Sequence, residues 1–289
     1  MKPGAIGVVV HPRRDSHDMI ECIVRWAAGH GKEVRGLSEA RDLLPASVRT
    51  VEEHELAVGA GLLIGVGGDG TILRALKLAT EYEVPVLGVN LGRLAFLAEV
   101  NLEDLPEALD QIDRDEHRIE ARAVMTVAGT CLPARFNAFN DSALSRIPGN
   151  GPAALAVEVE EEVFARYTAD ALVIATPTGS TAYSFAAGGP IVSPRHRGLL
   201  VTPVAPHAAF DRAVFVHPDE RLRVHVLERS APLLLEADGQ RVLELHQGDC
   251  VEFAMAPVQA QVMRLHDQGF YERARLKLQI TDSSELAPR

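Results

Sequence analysis

The chain has 289 residues and a net charge of −11, with 47% hydrophobic and 24% charged residues. That is enough apolar material for one large core or two ordinary ones, and it excludes a disordered chain except over the polar residues 282–289. The acidic balance, in which pairs such as Arg13–Arg14 stand isolated, excludes the basic stripe of a nucleic-acid binder and argues against an anionic membrane as partner. Small anions stay admissible, because backbone amides bind phosphate without net positive charge.

In chain order, Ile6–Val10 is a short β-branched run that predicts a buried strand and is too short for a signal-peptide core. Asp15-Ser16 signals a helix start, Ile20, Ile23, Val24 and Ala27 recur at helical spacing, and Gly29 and Gly31 stop the helix. Leu62–Val66 predicts a second buried strand, Ile72, Leu76 and Ala79 a helix, and Val86–Val89 a third strand. Leu102, Leu105, Leu109 and Ile112 stripe a further helix with Asn101 as its cap. Strands alternating with helices predict an α/β domain with a doubly wound, Rossmann-like parallel sheet.

Beyond about residue 118 the period changes to two. Leu155, Val157 and Val159, then Leu222, Val224 and Val226, then Val258, Ala260 and Val262 alternate with polar residues, each set predicting a half-solvated strand. Asp238-Gly239 predicts a hairpin turn, and Glu158 with Glu160–Glu162 reads as a solvated strand face. The second part is therefore expected to be mostly antiparallel β. Cys22, Cys131 and Cys250 are dispersed, which argues against a disulfide framework or a zinc site and suits a reducing cytoplasm. No apolar run nears the ~18 residues of a membrane span.

Two loops carry the chemistry. Gly65-Val66-Gly67-Gly68-Asp69-Gly70-Thr71 lies between a predicted strand and a predicted helix, where bare amides and a helix N-terminus favour phosphate. Its spacing formally satisfies the dinucleotide fingerprint, but the region about 20 residues on, Gly88-Val89-Asn90-Leu91-Gly92, holds no acid for a ribose. A carboxylate beside phosphate needs its own task. In phosphoryl transfer an Asp accepts the proton of the attacking hydroxyl or holds Mg²⁺. The plainer alternative is that Asp69 only caps the helix. The second loop, Thr176-Pro177-Thr178-Gly179-Ser180-Thr181-Ala182-Tyr183, followed by Gly188-Gly189-Pro190, offers hydroxyls and bare amides for phosphate or ribose oxygens, and Tyr183 a flat face for a base.

Together the two loops resemble the NAD kinase family, the first at Gly67–Thr71 and the second at Thr176–Tyr183. Gly88–Leu94, Phe96, Asp170, Pro206-His207, Arg212, Asp238-Gly239 and the tail Phe270–Leu278 extend the likeness over roughly residues 5–278. The resemblance implies a two-domain kinase with its active site at the domain interface, moving the γ-phosphoryl group of ATP to the 2′-hydroxyl of the adenosine ribose of NAD. It implies a domain at 1–118, a β-sandwich-like domain at 119–266, and a segment at 267–289 that packs back on the first. Asp69 would be the base. Gly67, Gly68, Gly70, Thr71, Asn90 and Gly92 would handle ATP phosphates. Phe96, Asn140, Asp141, Asp170, Thr178, Thr181, Ala182, Tyr183, Ala186 and His207 would hold the nucleotide substrate. Mg²⁺ would sit on the phosphates with no protein ligand assigned, and the enzyme would be a cytoplasmic homodimer or homotetramer.

Four positions depart from the family pattern. Asp141 stands where a Glu is usual, Ala171 and Ala95 where Gly is usual, and Ala186 where many members have Ser. Drift with compensation is one explanation. Another is a paralogue that phosphorylates a hydroxyl of a different nucleoside or nucleotide. A non-catalytic nucleotide-binding protein is the alternative outside the enzymes, and a Rossmann dehydrogenase is disfavoured by the missing ribose acid.

Overall fold

The computed structural model describes residues 4–92, 95–266 and 268–280. The first β-branched run forms β1 (Ala5–Val10), buried along its whole length. It leads into α1 (His17–Gly29), whose Met19, Ile20, Ile23 and Ala27 form the buried stripe. The N-cap of α1 is Ser16, but the side chain that reaches back is that of Asp15, whose carboxylate accepts the His17 N–H at 2.9 Å. There follow β2 (Val34–Leu37), β3 (Arg49–Val51), α2 (Glu53–Leu56), β4 (Ala60–Gly67), α3 (Asp69–Thr80), β5 (Val86–Asn90) and α4 (Leu105–Asp113).

The helix α4 starts later than its apolar spacing predicts. Asp104 is the N-cap, Pro106 lies in the first turn, and Leu102 is 37% exposed outside the helix. Proline lacks an N–H, so it belongs at a helix start, and that sets the boundary at Leu105, inside the apolar stripe. Asn101 does not cap the helix; its side-chain oxygen accepts from Asn90 Nδ2 at 3.3 Å. Trp26 stacks on His30 and donates to Asp110 at 2.6 Å, tying α1 to α4.

The next strands are β6 (Arg118–Ala128), β7 (Phe136–Ala138), β8 (Asp141–Arg146), β9 (Ala153–Val159), β10 (Glu162–Ala169) and β11 (Ala171–Ala175). After the short helix α5 (Tyr183–Ala186) come β12 (Leu199–Val204), β13 (Val214–Val216), β14 (Leu222–Val226), β15 (Leu233–Ala237), β16 (Gln240–Leu245), the long β17 (Cys250–Arg264) and α6 (Phe270–Lys277). The chain divides into two compact units, residues 1–121 with 260–289, and residues 122–259.

In the first unit β3, β2, β1, β4 and β5 form a parallel sheet in that order, and the end of β17 adds to it in parallel at Val262↔Val86. Ile6, Val8, Leu62, Ile64, Leu87 and Val89 meet the stripes of α1 and α4 in one core. Parallel strands buried on both faces explain why these segments read as unbroken apolar runs. In the second unit β13-β12-β11-β8-β15-β16 is an antiparallel sheet, and β10, β9, β14 and the first part of β17 pair antiparallel in a second. Inward residues of both, among them Leu155, Val224, Leu172 and Leu235, share one core, the packing of a β-sandwich.

Asp238 (φ 48°) and Gly239 (φ 74°) make the predicted two-residue hairpin between β15 and β16. Glu160 (φ 50°) and Glu161 (φ 71°) make another between β9 and β10, so the acidic run is a tight turn flanked by Glu158 and Glu162 rather than one strand face. The cysteines are free and half-buried. Among the described residues no helix is long and apolar enough to cross a membrane.

The first unit holds a buried ion network. Arg264 and Arg273, with side chains 0% and 5% exposed, share Glu99, which is 2% exposed, and Arg264 also pairs with Glu120 at 2.9 Å. Burial, more than the neighbouring Arg264, pushes the Arg273 guanidinium down from its ordinary value. Removing one charge of such a cluster strands the others away from water. Glu99→Gln is expected to cost about 3 kcal/mol, seen as a lower urea midpoint; an unchanged midpoint would show that the network carries no stability.

Candidate active site

Glycine at the first loop serves two different ends. A Cβ on Gly67, the last residue of β4, would lie 2.4 Å from Thr71 Oγ1, so this glycine is required by the close packing of the first turn of α3. A Cβ on Gly68 or Gly70 would meet nothing within 4 Å. Neither has the positive φ that would demand glycine. Both stand at the N-terminus of α3, where the first N–H groups of a helix have no intrahelical acceptor and suit a phosphate. Thr71 is buried and Gly70 exposed.

Asp69 is not the cap of α3. Gly68 occupies that position, and Asp69 is the first helical residue. Its carboxylate points to a different segment: Oδ1 accepts the Leu97 N–H at 2.9 Å, and Oδ2 accepts the Phe96 N–H at 3.2 Å and the Lys277 ammonium at 2.5 Å. The 96–97 peptides are held from behind by Arg264, which donates to Leu97 O at 3.2 Å and Phe96 O at 3.4 Å. Gly88 makes the approach possible, since a Cβ there would stand 2.7 Å from Leu97 O.

Asn90 ends β5, buried, and with Glu99, Asn101, His266, Gln268 and Arg273 it lines a cavity of about 140 Å³. Its amide nitrogen is committed to Asn101, whereas Oδ1 finds no partner among the described residues, so Asn90 has an acceptor left to offer. Gly92 is exposed with φ 119°. Ala95 is buried and Phe96 half-buried, its ring 4.3 Å from the Lys277 ammonium. Lys277 is what sequence reasoning missed. It lies in the tail segment that resembles the family, but nothing in spacing could join it to a carboxylate 208 positions away.

The second unit gathers the other loop. The Thr176 N–H donates to Asn140 O at 2.9 Å, and its hydroxyl donates to Phe139 O at 2.6 Å. A Cβ on Gly179 would lie 1.9 Å from Asn140 O, so only glycine lets the threonine-rich turn close on Asn140. From the other side Asp238 Oδ1 accepts the Asn140 N–H at 2.7 Å, and its two oxygens accept the Phe139 N–H at 3.1 and 3.0 Å. Sequence reasoning gave Asp238 a turn. Its carboxylate also clasps the segment that presents Asn140 and Asp141.

Asp141 is 7% exposed and accepts a hydrogen bond from the Tyr183 backbone. Burial, and then the nearby Asp238 and Glu236, push its carboxyl up to about 7. Where it holds its proton it can donate as well as accept. Tyr183 is 40% exposed, and its phenol is pushed up by burial and by Glu236, Asp141 and Asp170. Thr181, Ala182 and Ala186 line the same turn, half-buried or exposed, and the buried Thr178 Oγ1 has no partner among the described residues. Asp170 is half exposed and bonded to Arg146 Nε at 2.5 Å. His207 is exposed, with its backbone N–H donating to Thr168 O at 2.7 Å.

An α/β unit with an acid at a glycine-flanked helix N-terminus, followed by a β-sandwich with a hydroxyl-rich turn, defines the class of nucleotide-dependent phosphotransferases. Residues 6–117 match the ATP-NAD kinase N-terminal domain and residues 139–265 the ATP-NAD kinase C-terminal domain. NAD kinase 1 of Streptomyces avermitilis is 36% identical, over 96% of this chain and 88% of that protein. The NAD kinase of Heliobacterium modesticaldum is 40% identical over 75% of this chain and 78% of its own. The fold is that of the yeast NADH kinase complexed with NADH (TM-score 0.87, 22% identity, 99% of this chain and 91% of that one). It is also that of an NAD kinase from Archaeoglobus fulgidus in complex with ATP (TM-score 0.73, 23% identity, 95% and 98%). The chain belongs to the ATP-NAD kinase family, and it is a phosphotransferase with an alcohol group as acceptor.

Three outcomes follow from this geometry. Gly67→Ala is expected to cost about 1–3 kcal/mol by overpacking. Gly68→Ala and Gly70→Ala keep the thermal midpoint but weaken nucleoside triphosphate binding by about tenfold, roughly 1.4 kcal/mol; titration calorimetry beside thermal melts separates the two, and equal triphosphate affinity would refute the phosphate-site assignment. For Asp141 the folded state holds its proton more tightly than the unfolded state, about 7 against 3.8. The group's contribution to stability therefore falls as pH rises through that window and levels off above it. The stability advantage of Asp141→Asn over the parent should grow by about 2–3 kcal/mol between roughly pH 5 and pH 8; a pH-independent difference in urea midpoint would contradict the assignment.

Proposed function

We propose that the protein transfers the γ-phosphoryl group of ATP to the 2′-hydroxyl of the adenosine ribose of NAD, giving NADP. The observation that carries the reading is Asp69, an ion-paired carboxylate in the first turn of α3, with Gly68 and Gly70 on either side of it at the helix N-terminus. Asp69 accepts the proton as the ribose oxygen bonds to the γ-phosphorus and the bond to the bridging oxygen breaks, its electron pair leaving on ADP. Gly67, Gly68, Gly70 and Thr71 position the phosphates, with Asn90 and Gly92 nearby. Phe96, Asn140, Asp141, Asp170, Thr178, Thr181, Ala182, Tyr183, Ala186 and His207 bind the acceptor nucleotide. Catalysis of this kind rests on positioning and charge neutralisation, without a covalent nucleophile.

Mg²⁺ is the expected companion, supplying neutralisation of phosphate charge. Among the described residues no group of three His, Cys, Asp or Glu side chains stands ready to cage a metal. Mg²⁺ keeps several of its waters and binds largely through substrate phosphates. A cytoplasmic homodimer or homotetramer completes the reading.

A second acceptor, another nucleoside or nucleotide, is favoured by one observation: Asp141 is shorter than the usual Glu by a methylene and takes up a proton near neutral pH. Incubation with ATP, Mg²⁺ and NAD beside a nucleoside panel separates the two, NADP formation supporting the first. Asp69→Asn should lower kcat by about 10³-fold with nucleotide affinity kept; near-parental kcat would remove Asp69 from the reaction.

A further inference from the structure

The Lys277–Asp69 pair is not explained by stability. Both side chains are more than a quarter exposed (27% and 29%), and ion pairs in that setting contribute little to folding. Lys277 is the last residue of α6, where a cation is already favoured by the helix dipole, yet its ammonium reaches a carboxylate on the first turn of α3. The same ammonium lies over the Phe96 ring at 4.3 Å, and the Phe96 N–H is itself a donor to Asp69. Three groups are thus locked together: the acid, the aromatic ring and the cation.

A carboxylate has about four acceptor positions. On Oδ2 two are taken, by the Phe96 N–H and by Lys277; on Oδ1 one is taken, by the Leu97 N–H. Among the described residues one position on Oδ1 is left. Resting on the proposed role of Asp69, we infer that Lys277 is a positioning residue for phosphoryl transfer: it holds Oδ2 and the Phe96 ring, so that Oδ1 alone receives the proton of the acceptor hydroxyl. The hydroxyl O–H bond breaks, its electron pair forms the bond to the γ-phosphorus, the proton passes to Oδ1, and Lys277 keeps its own protons throughout. Without the ammonium the two amides alone leave the carboxylate free to tilt, and near-attack geometry is lost at the reacting oxygen.

The test uses Lys277→Ala and Lys277→Arg in the full chain. Lys277→Ala should lower kcat by about 10–100-fold, with KM for ATP and NAD within about threefold and a thermal midpoint that moves by no more than a few degrees. Methylammonium or ethylammonium should restore part of the lost kcat, tetramethylammonium none, and Lys277→Arg should retain part of it. Unchanged kcat would overturn the inference. So would a raised KM with intact kcat, which marks a substrate contact, or a loss of kcat that tracks a lost midpoint and no amine rescues, which marks a structural strut. Asp69→Asn run alongside keeps the failures apart: if it is inactive while Lys277→Ala is unimpaired, only this inference falls, and if it is fully active the base itself is misassigned.

Discussion

The first unit is organised around one carboxylate, that of Asp69, which is held still by donors fixed in their turn. Asp69 takes two amides from residues 96–97 and an ammonium from Lys277, donors that come from segments remote in sequence. Those amides are fixed in turn. Arg264 binds the carbonyls of the same two residues, and Glu99 binds Arg264, Arg273 and the backbone N–H groups of Leu265 and His266. The buried ion network is therefore the foundation on which the acid rests. A carbonyl–guanidinium–carboxylate chain is costly to desolvate, but once satisfied it rigidifies what it touches.

The second unit solves the complementary task with the same means. A carboxylate at a hairpin turn, Asp238, gathers consecutive amides from the other side of Phe139 and Asn140, and Gly179 lets the threonine turn close on the Asn140 carbonyl. Asp141 is left buried beside Asp238 and Glu236, which is why it holds a proton near neutral pH. Placing acids together in this way leaves Asp141 able to donate as well as accept near neutral pH.

Much of this architecture was legible in the residues. Apolar runs revealed β1, β4 and β5, 3.6-residue stripes revealed α1 and α3, and Asp238-Gly239 revealed a hairpin, because each is a local property of backbone and burial; β2 and β3 are short, carry arginine and show no such run. Both glycine loops were visible for the same reason, since runs of glycines and hydroxyls fit neither the strand nor the helix period. Local reading failed where two signals competed. The leucine stripe pointed to a helix from Leu102, but Pro106 set the start, and the acidic run looked like a strand until Glu160 and Glu161 turned. It failed again wherever partners come from far along the chain: the bonds of Asp69 to Lys277 and to residues 96–97, and of Asp238 to Asn140, have no periodicity to betray them.

The reading turns on where one phosphoryl group ends up. The most direct measurement follows the label from γ-phosphoryl-labelled ATP in the presence of Mg²⁺ and NAD. The account predicts label in NADP, at the 2′-position of the adenosine ribose, and its complete release by a phosphomonoesterase. Label that stays in ATP or appears only as inorganic phosphate, while both nucleotides bind and NAD is recovered unchanged, would contradict it.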